Sequence, residues 1–331
     1  MRDSLLSRFQ GALLGAALGE VLGACCQIRR RKPSGSAWLD VEQWGFAPTS
    51  SSLLPDGWGK YIVAGIQQLT RTQRWDLEPL EETSPFSMKG GEQGGLAIAT
   101  LPLALYFHDD LAQLQNQIQQ AVAVWNPEAK KTPDLLQNVT IPAGAIALAS
   151  QESLHPTCLT SDLLTNLELR DANSSAVQLL QGVQTLVGEQ VSLAIAKDRL
   201  SEIAVAQSPL AAHVATVLYS FLATPDDVRL SLLQTAQLSP HPQSACALVG
   251  ALSGAYNGLP GIPLGWRRAL QSFPSEPFPL RCLWSIEAEV ELMQLAEQLF
   301  AAWSGVYQPI QSSQTNQAPL LVASPNVIRA Q

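Results

Sequence analysis

Apolar residues recur three or four positions apart along most of this chain and strict alternation is absent, so the pattern predicts helices throughout and an all-α fold. The spacing predicts helices over Lys60 to Leu69, Gly94 to Phe107, Asp110 to Val124, Ile141 to Gln151, Ser174 to Leu186, Ser208 to Leu222, Pro225 to Leu238, Ser244 to Gly258 and Cys282 to Ser304. Asp226 and Asp227 follow Pro225 and read as first-turn residues, where acidic side chains favour the positive end of a helix. The breaks, Pro33 to Pro55, Thr83 to Gly95, Ser239 to Pro242 and Phe273 to Pro279, lack the length or charge of interdomain linkers. The expectation is one compact domain over residues 1–307, then a polar, mobile tail over residues 308–331 whose apolar patch, Pro319 to Val322, is a candidate for docking on a partner.

Two segments stand out by their glycines. Gly11, Gly15, Gly19 and Gly23 recur every fourth residue, as do Gly250, Gly254 and Gly258. On a helix this spacing makes a ridge without side chains, along which a second helix can approach closely. A glycine inside a helix costs about 0.8 to 1 kcal/mol relative to alanine, so the repeated cost predicts that the two ridges pack on each other in the core.

Composition narrows the function classes. A net charge of -8 without a Lys/Arg stripe argues against nucleic acid as a partner, and the one basic run, Arg29 to Lys32, reads as a solvated loop. Of the cysteines Cys25, Cys26, Cys158, Cys246 and Cys282, none has metal-type spacing, and Cys246 and Cys282 read as small buried hydrophobes. This usage points to a reducing compartment and a cytoplasmic location. Arg2, Arg8, the apolar run after Phe9 and the Leu22-Gly23-Ala24-Cys25 sequence look like a lipoprotein signal, but Asp3, Glu20 and Gly23 fit that pattern poorly. A buried first helix, with no membrane contact, is the expectation.

The segments RFQGALLGAALGEVLGA, from Arg8, and ALVGALSGAYNGLPGIPLGWRRAL, from Ala247, resemble the first and last framework helices of the ADP-ribosylglycohydrolase family. The preceding VLYSFLATPDDVRLSLLQTAQ is similar to that family's closing helices, and the resemblance runs from about Arg8 to Leu270. It implies an all-α fold with a cleft in which acidic motifs and a threonine hydroxyl hold two magnesium ions. These orient a ribose diol and an attacking water, and magnesium demands such an oxygen-rich, near-octahedral set.

The acidic motifs are eroded at every position that the resemblance maps. The family's G-G-D-x-D-T falls on Ser239, Pro240, His241, Pro242, Gln243 and Ser244, so both aspartates are replaced and only the Ser244 hydroxyl remains. T-D-D-T falls on Asp56, Gly57, Trp58 and Gly59, and Asp56 can stand for one aspartate if the register slips by one. The G-D pair of the first helix is Gly19-Glu20. In the motif over Gln93 to Pro102, the asparagine and arginine are Gly94 and Ala99, and a Thr-His pair falls on Trp125-Asn126. The expectation is therefore no magnesium pair, no other cofactor and no catalytic residue: a pseudoenzyme that binds another protein or serves a structural role. An active ADP-ribosyl hydrolase with remodelled ligands and a metal-free sensor of ADP-ribose or a nucleotide are the alternatives.

Other motifs carry less. His241 beside Ser244 has the residue types for nucleophilic catalysis but no acid nearby in sequence to orient the imidazole. His108-Asp109-Asp110 reads as a solvated helix end followed by an N-cap, His155 as a loop residue, and His213 as a satisfied histidine within a helix. Gly90-Gly91 and Gly94-Gly95 lack the Gly-Lys-Ser/Thr ending of a phosphate loop, but the amides of Gly94 and Gly95 at a helix start are candidates for weak, metal-free contact with the pyrophosphate of an ADP-ribose-like ligand. Trp44, Phe46, Trp58 and Tyr61 read as apolar filling of the former metal cleft.

Overall fold

The structure is a computed structural model that describes residues 4–31, 57–75, 94–125, 133–151, 154–169, 171, 174–271 and 279–305. Among these every regular element is helical, as the periodicity predicts. The chain opens with α1 (Leu5–Arg31), α2 (Gly59–Thr72), α3 (Gly94–Ala99), α4 (Leu101–Tyr106), α5 (Leu111–Trp125) and α6 (Pro133–Ser150). It continues through α7 (Leu159–Asn166), α8 (Ser175–Glu189), α9 (Leu193–Ala206), α10 (Pro209–Ala223) and α11 (Val228–Leu238). It closes with α12 (Pro242–Asn257), α13 (Leu264–Gln271), α14 (Pro279–Trp284) and α15 (Glu289–Ser304).

The centre of the molecule is the antiparallel pair α1 and α12. A β-carbon on Gly11 would overlap the carbonyl of Gly254, one on Gly15 that of Gly250, one on Gly19 that of Cys246 and one on Gly23 that of Pro242. The relation is reciprocal, since β-carbons on Gly250 and Gly254 would meet the carbonyls of Gly15 and Gly11. The two backbones are therefore in direct contact along four helical turns, which explains the repeated glycines. α1 is long and apolar enough to cross a membrane, yet 89% of its apolar window is buried inside the protein, as expected of a core helix.

Both ends of α1 carry an arginine that satisfies the carbonyl ends of neighbouring helices. Arg8 donates to Ala149 O at 2.7 Å and, from the same nitrogen, lies 3.3 Å from Ala255 O and Tyr256 O. Arg30 donates to Ser239 O at 2.6 Å, Ala236 O at 2.5 Å and Gln237 O at 3.2 Å. The last carbonyls of a helix have no partner within it and attract cations. The basic run is thus not a solvated loop: its Arg30 lies within α1 and caps α11.

Several boundaries differ from the sequence expectation for identifiable reasons. The segment Gly94 to Phe107 is two helices, because Pro102 removes an N–H and its ring opposes the carbonyl four residues back. The Thr100 hydroxyl donates to Ala97 O at 2.7 Å across the break. Cys282 to Ser304 is likewise divided into α14 and α15, with Ser285 between them in the left-handed region at φ 55. α6 begins at Pro133 and runs through Pro142, an interior proline held by burial on every side. α11 starts at Val228, so Asp227 is its N-cap, accepting from Leu230 N at 3.0 Å, and Asp226 precedes the helix. α7, α9 and α13 are not in the expected set; α9 buries only Ala196 and Leu200, too narrow a stripe to read from sequence.

Among the remaining expectations, Cys246 is buried, Cys282 is half-buried and Cys158 is exposed. His155 is exposed. His108 is not solvated: it is buried against Phe9 and Trp303, with Nδ1 at 2.8 Å from Leu105 O, while Asp110 caps Gln113 N at 2.9 Å as an N-cap. Trp44, Phe46, Asp56, Gly90, Gly91, Asn126 and the tail over 308–331 lie outside the described residues.

Candidate functional site

Glu20 follows Gly19 on α1 and therefore points beside the α1–α12 seam rather than into it. Its side chain is fully buried. The carboxylate accepts from Trp58 N at 2.6 Å and Gly59 N at 3.2 Å, the first amides of α2. Trp58 is the N-cap residue of α2 and provides no side-chain cap of its own, so Glu20 caps that helix from a different part of the chain. Gln243, in the first turn of α12, donates its amide nitrogen to the same carboxylate at 3.1 Å, the orientation that an oxygen acceptor demands. The Trp284 indole lies alongside and adds a weaker favourable interaction.

Burial and these donors act in opposite directions. Removal from water disfavours the charge and dominates, while the hydrogen bonds from Trp58, Gln243 and Gly59 favour it, leaving the Glu20 carboxyl raised to about 7. Glu20 is then divided between its two protonation states near neutrality.

The rest of the site is filled. Gly57 abuts the backbone of Leu283, and Gly59 lies under the Trp284 ring, with no room for a β-carbon at either position. The Trp58 indole presses on Gly95 and the His213 ring on Gly94, so the amide end of α3 is covered by these two rings. Trp58 is buried, and its ring centroid is 6.3 Å from that of Tyr61, in keeping with apolar filling. Sequence reasoning missed Trp284 and His213 as parts of the site. Trp284 comes from a helix without a family motif, and His213 from the middle of α10.

His213 does not behave as a satisfied helix residue: its Nε2 is buried without a hydrogen-bond partner among the described residues. Burial, and then the charge of His241 at the N-cap of α12, push it down to about 4, so it is neutral at physiological pH. Ser244 is buried too, and its hydroxyl makes no hydrogen bond among the described residues. The Ser244–His241 contact that nucleophilic catalysis would need is therefore not formed.

The structure thus brings together Glu20, Trp58, Gln243 and the glycines at 57, 59, 94 and 95. This donor set does not fit a magnesium pair. Magnesium needs several ionised or carbonyl oxygens with water around them, whereas here one carboxylate faces N–H groups. Among the described residues no group of three or more His, Cys, Asp or Glu side chains converges on a common point. Of the two acid positions, a side chain at 57 would collide with α14, and 58 is taken by the Trp58 indole packed on Gly95.

Comparison with known proteins gives the relationship independently of these motifs. No curated protein matches the chain in sequence. A solved structure described as an ADP-ribosylglycohydrolase-related protein complex is similar over 90% of this chain and 99% of its own, at 18% identity and a TM-score of 0.52, which supports the fold. The ADP-ribosylglycohydrolase family itself matches residues 34–309. That match extends beyond Leu270 through α15 and leaves α1, with Glu20 and its glycine ridge, outside it. The match spans most of the sequence, and this chain belongs to the ADP-ribosylglycohydrolase family.

Proposed function

We propose that this chain is a non-hydrolytic member of its family, a cytoplasmic protein that works by binding another protein or as a structural component, without metal, nucleic acid or membrane. The observation that carries this reading is the occupation of Glu20. The carboxylate that maps onto the family's first-helix acid caps α2 and accepts the Gln243 amide, so its lone pairs face protein donors rather than a cleft. Gly57, sealed by α14, and Trp58, whose indole packs on Gly95, stand where the two acids of T-D-D-T would be needed. The test is release of ADP-ribose from an ADP-ribosylated protein, with magnesium and with a chelator. No release is expected in either case, and turnover abolished by chelation and restored by magnesium would overturn the proposal.

One observation favours a second reading, a metal-free sensor of ADP-ribose or a related nucleotide. His213 Nε2 and Ser244 Oγ are buried polar atoms without partners, and such groups are costly unless something satisfies them. Calorimetry with ADP-ribose separates the two: equal binding with magnesium and with chelator, no tighter than roughly micromolar, supports the sensor, and silence leaves the protein-binding role.

A further inference from the structure

We propose that the contact between Glu20 and Gln243 is a carboxyl–amide lock that does the structural work of a bound cation, tying α1, α2 and α12 together so that the folded chain neither needs nor takes up a divalent ion. The proposal rests on the metal-free part of the reading above. Two carboxylates brought together from different helices repel each other unless a cation or a shared proton lies between them. Here the second partner is an amide. Gln243 Nε2 donates to Glu20 Oε1 at 3.1 Å, Trp58 N donates to the same oxygen at 2.6 Å, and Gly59 N donates to Oε2 at 3.2 Å. These bonds span 223, 38 and 39 residues of sequence, so three helices meet at this one group. Each contact joins a donor to an acceptor, and no second carboxylate is left for a counter-ion to neutralise.

The space around the lock is closed as well. Both side chains are buried. The Leu283 backbone lies against Gly57, the Trp284 ring against Gly59 and the Trp58 indole against Gly95. A magnesium ion dehydrates reluctantly and needs room for several waters beside its protein ligands. The amide of Gln243 supplies instead, as a neutral donor, the favourable contact to Glu20 that a cation would give.

Melting of the full chain at pH 8 tests this, with a chelator and with millimolar magnesium or manganese. The parent is expected to melt at the same temperature in every case. Gln243→Glu keeps the size of the side chain but sets a second carboxylate against the first, and is expected to lower the melting temperature by about 5 °C or more, without recovery in either ion. Gln243→Leu, which removes the donor and adds no charge, should lower it by less. Exchange of both partners, Glu20→Gln together with Gln243→Glu, again faces a carboxylate with an amide and should melt above Gln243→Glu alone, a recovery that crowding at position 243 would not produce. If Gln243→Glu does not fold, folded chain is still expected from the exchange variant, and its absence would overturn the proposal. So would a parent stabilised by either ion or weakened by the chelator, a Gln243→Glu chain that melts like the parent or is rescued by either ion, or an exchange variant that melts no higher than Gln243→Glu. Release of ADP-ribose plays no part in these measurements: metal-free turnover would overturn the non-hydrolytic reading and leave the lock standing, whereas a parent stabilised by magnesium without turnover would overturn the lock alone.

Discussion

Replacing Glu20 with glutamine removes the ionisation of a buried carboxyl while keeping its size. Burial has raised this group from its ordinary 4.5 to about 7, which makes its charged form about 3 kcal/mol less favourable in the folded protein than in the unfolded chain. Because the folded value is the higher one, the stability contribution is fully present below pH 4.5 and is lost as pH rises through 7. His213 has the opposite sign: lowered from 6.5 to about 4, it contributes fully above pH 6.5, and that contribution is lost as pH falls towards 4. In the parent the two nearly cancel between pH 4.5 and 6.5. The amide side chain in the Glu20→Gln variant has one oxygen where the carboxyl, protonated or not, has two, so some of the donors of Trp58, Gly59 and Gln243 lose an acceptor, at about 1 to 3 kcal/mol. Chemical denaturation of parent and Glu20→Gln from pH 4 to 8 should show the variant weaker in acid, with the difference moving by about 3 kcal/mol in the variant's favour as pH rises, enough to close or reverse it, and the variant alone losing stability steadily on acidification. A difference independent of pH, or one that moves against the variant towards pH 8, would refute the assignment of the carboxyl.

Gly15→Ala should destabilise the protein by about 3 kcal/mol, because the methyl group overlaps the Gly250 carbonyl and neither backbone can yield easily; a melt like the parent's would remove the backbone-contact argument. Arg30→Ala should cost about 1 to 3 kcal/mol in denaturant by leaving the Ala236 and Ser239 carbonyls without a donor. Gly57→Asp, which restores an acid at one of the two aspartate positions of T-D-D-T, should fail to create magnesium-dependent activity and should lower the melting temperature, since the Leu283 backbone occupies that space.

The helical class and the α1–α12 contact are legible because they rest on local spacing: apolar residues every three or four positions, and glycines every fourth. Glu20 stands out from its place beside Gly19, but its partners at Trp58 and Gly59 do not, since a cap supplied from another helix leaves no mark near the helix it caps. The reason for the glycines at 57 and 59 likewise lies in α14, more than two hundred residues away in sequence. His108 reads as solvated because two aspartates follow it, whereas Phe9 and Trp303 reach it from opposite ends of the chain. Charge near a residue is a local signal, and burial depends on what the rest of the chain brings to it.

The seam between α1 and α12 constrains how the protein is made. Glu20 and Gln243 are 223 residues apart, so at about 5 to 20 residues per second the first helix waits roughly 10 to 45 s for its mate to be synthesised. Throughout that interval the glycine groove of a long apolar helix has no partner, and late closure of so large a loop slows folding further. Chains interrupted before residue 242 should therefore aggregate or be held by chaperones. The same contact that gives the finished molecule its centre makes the unfinished one dependent on protection.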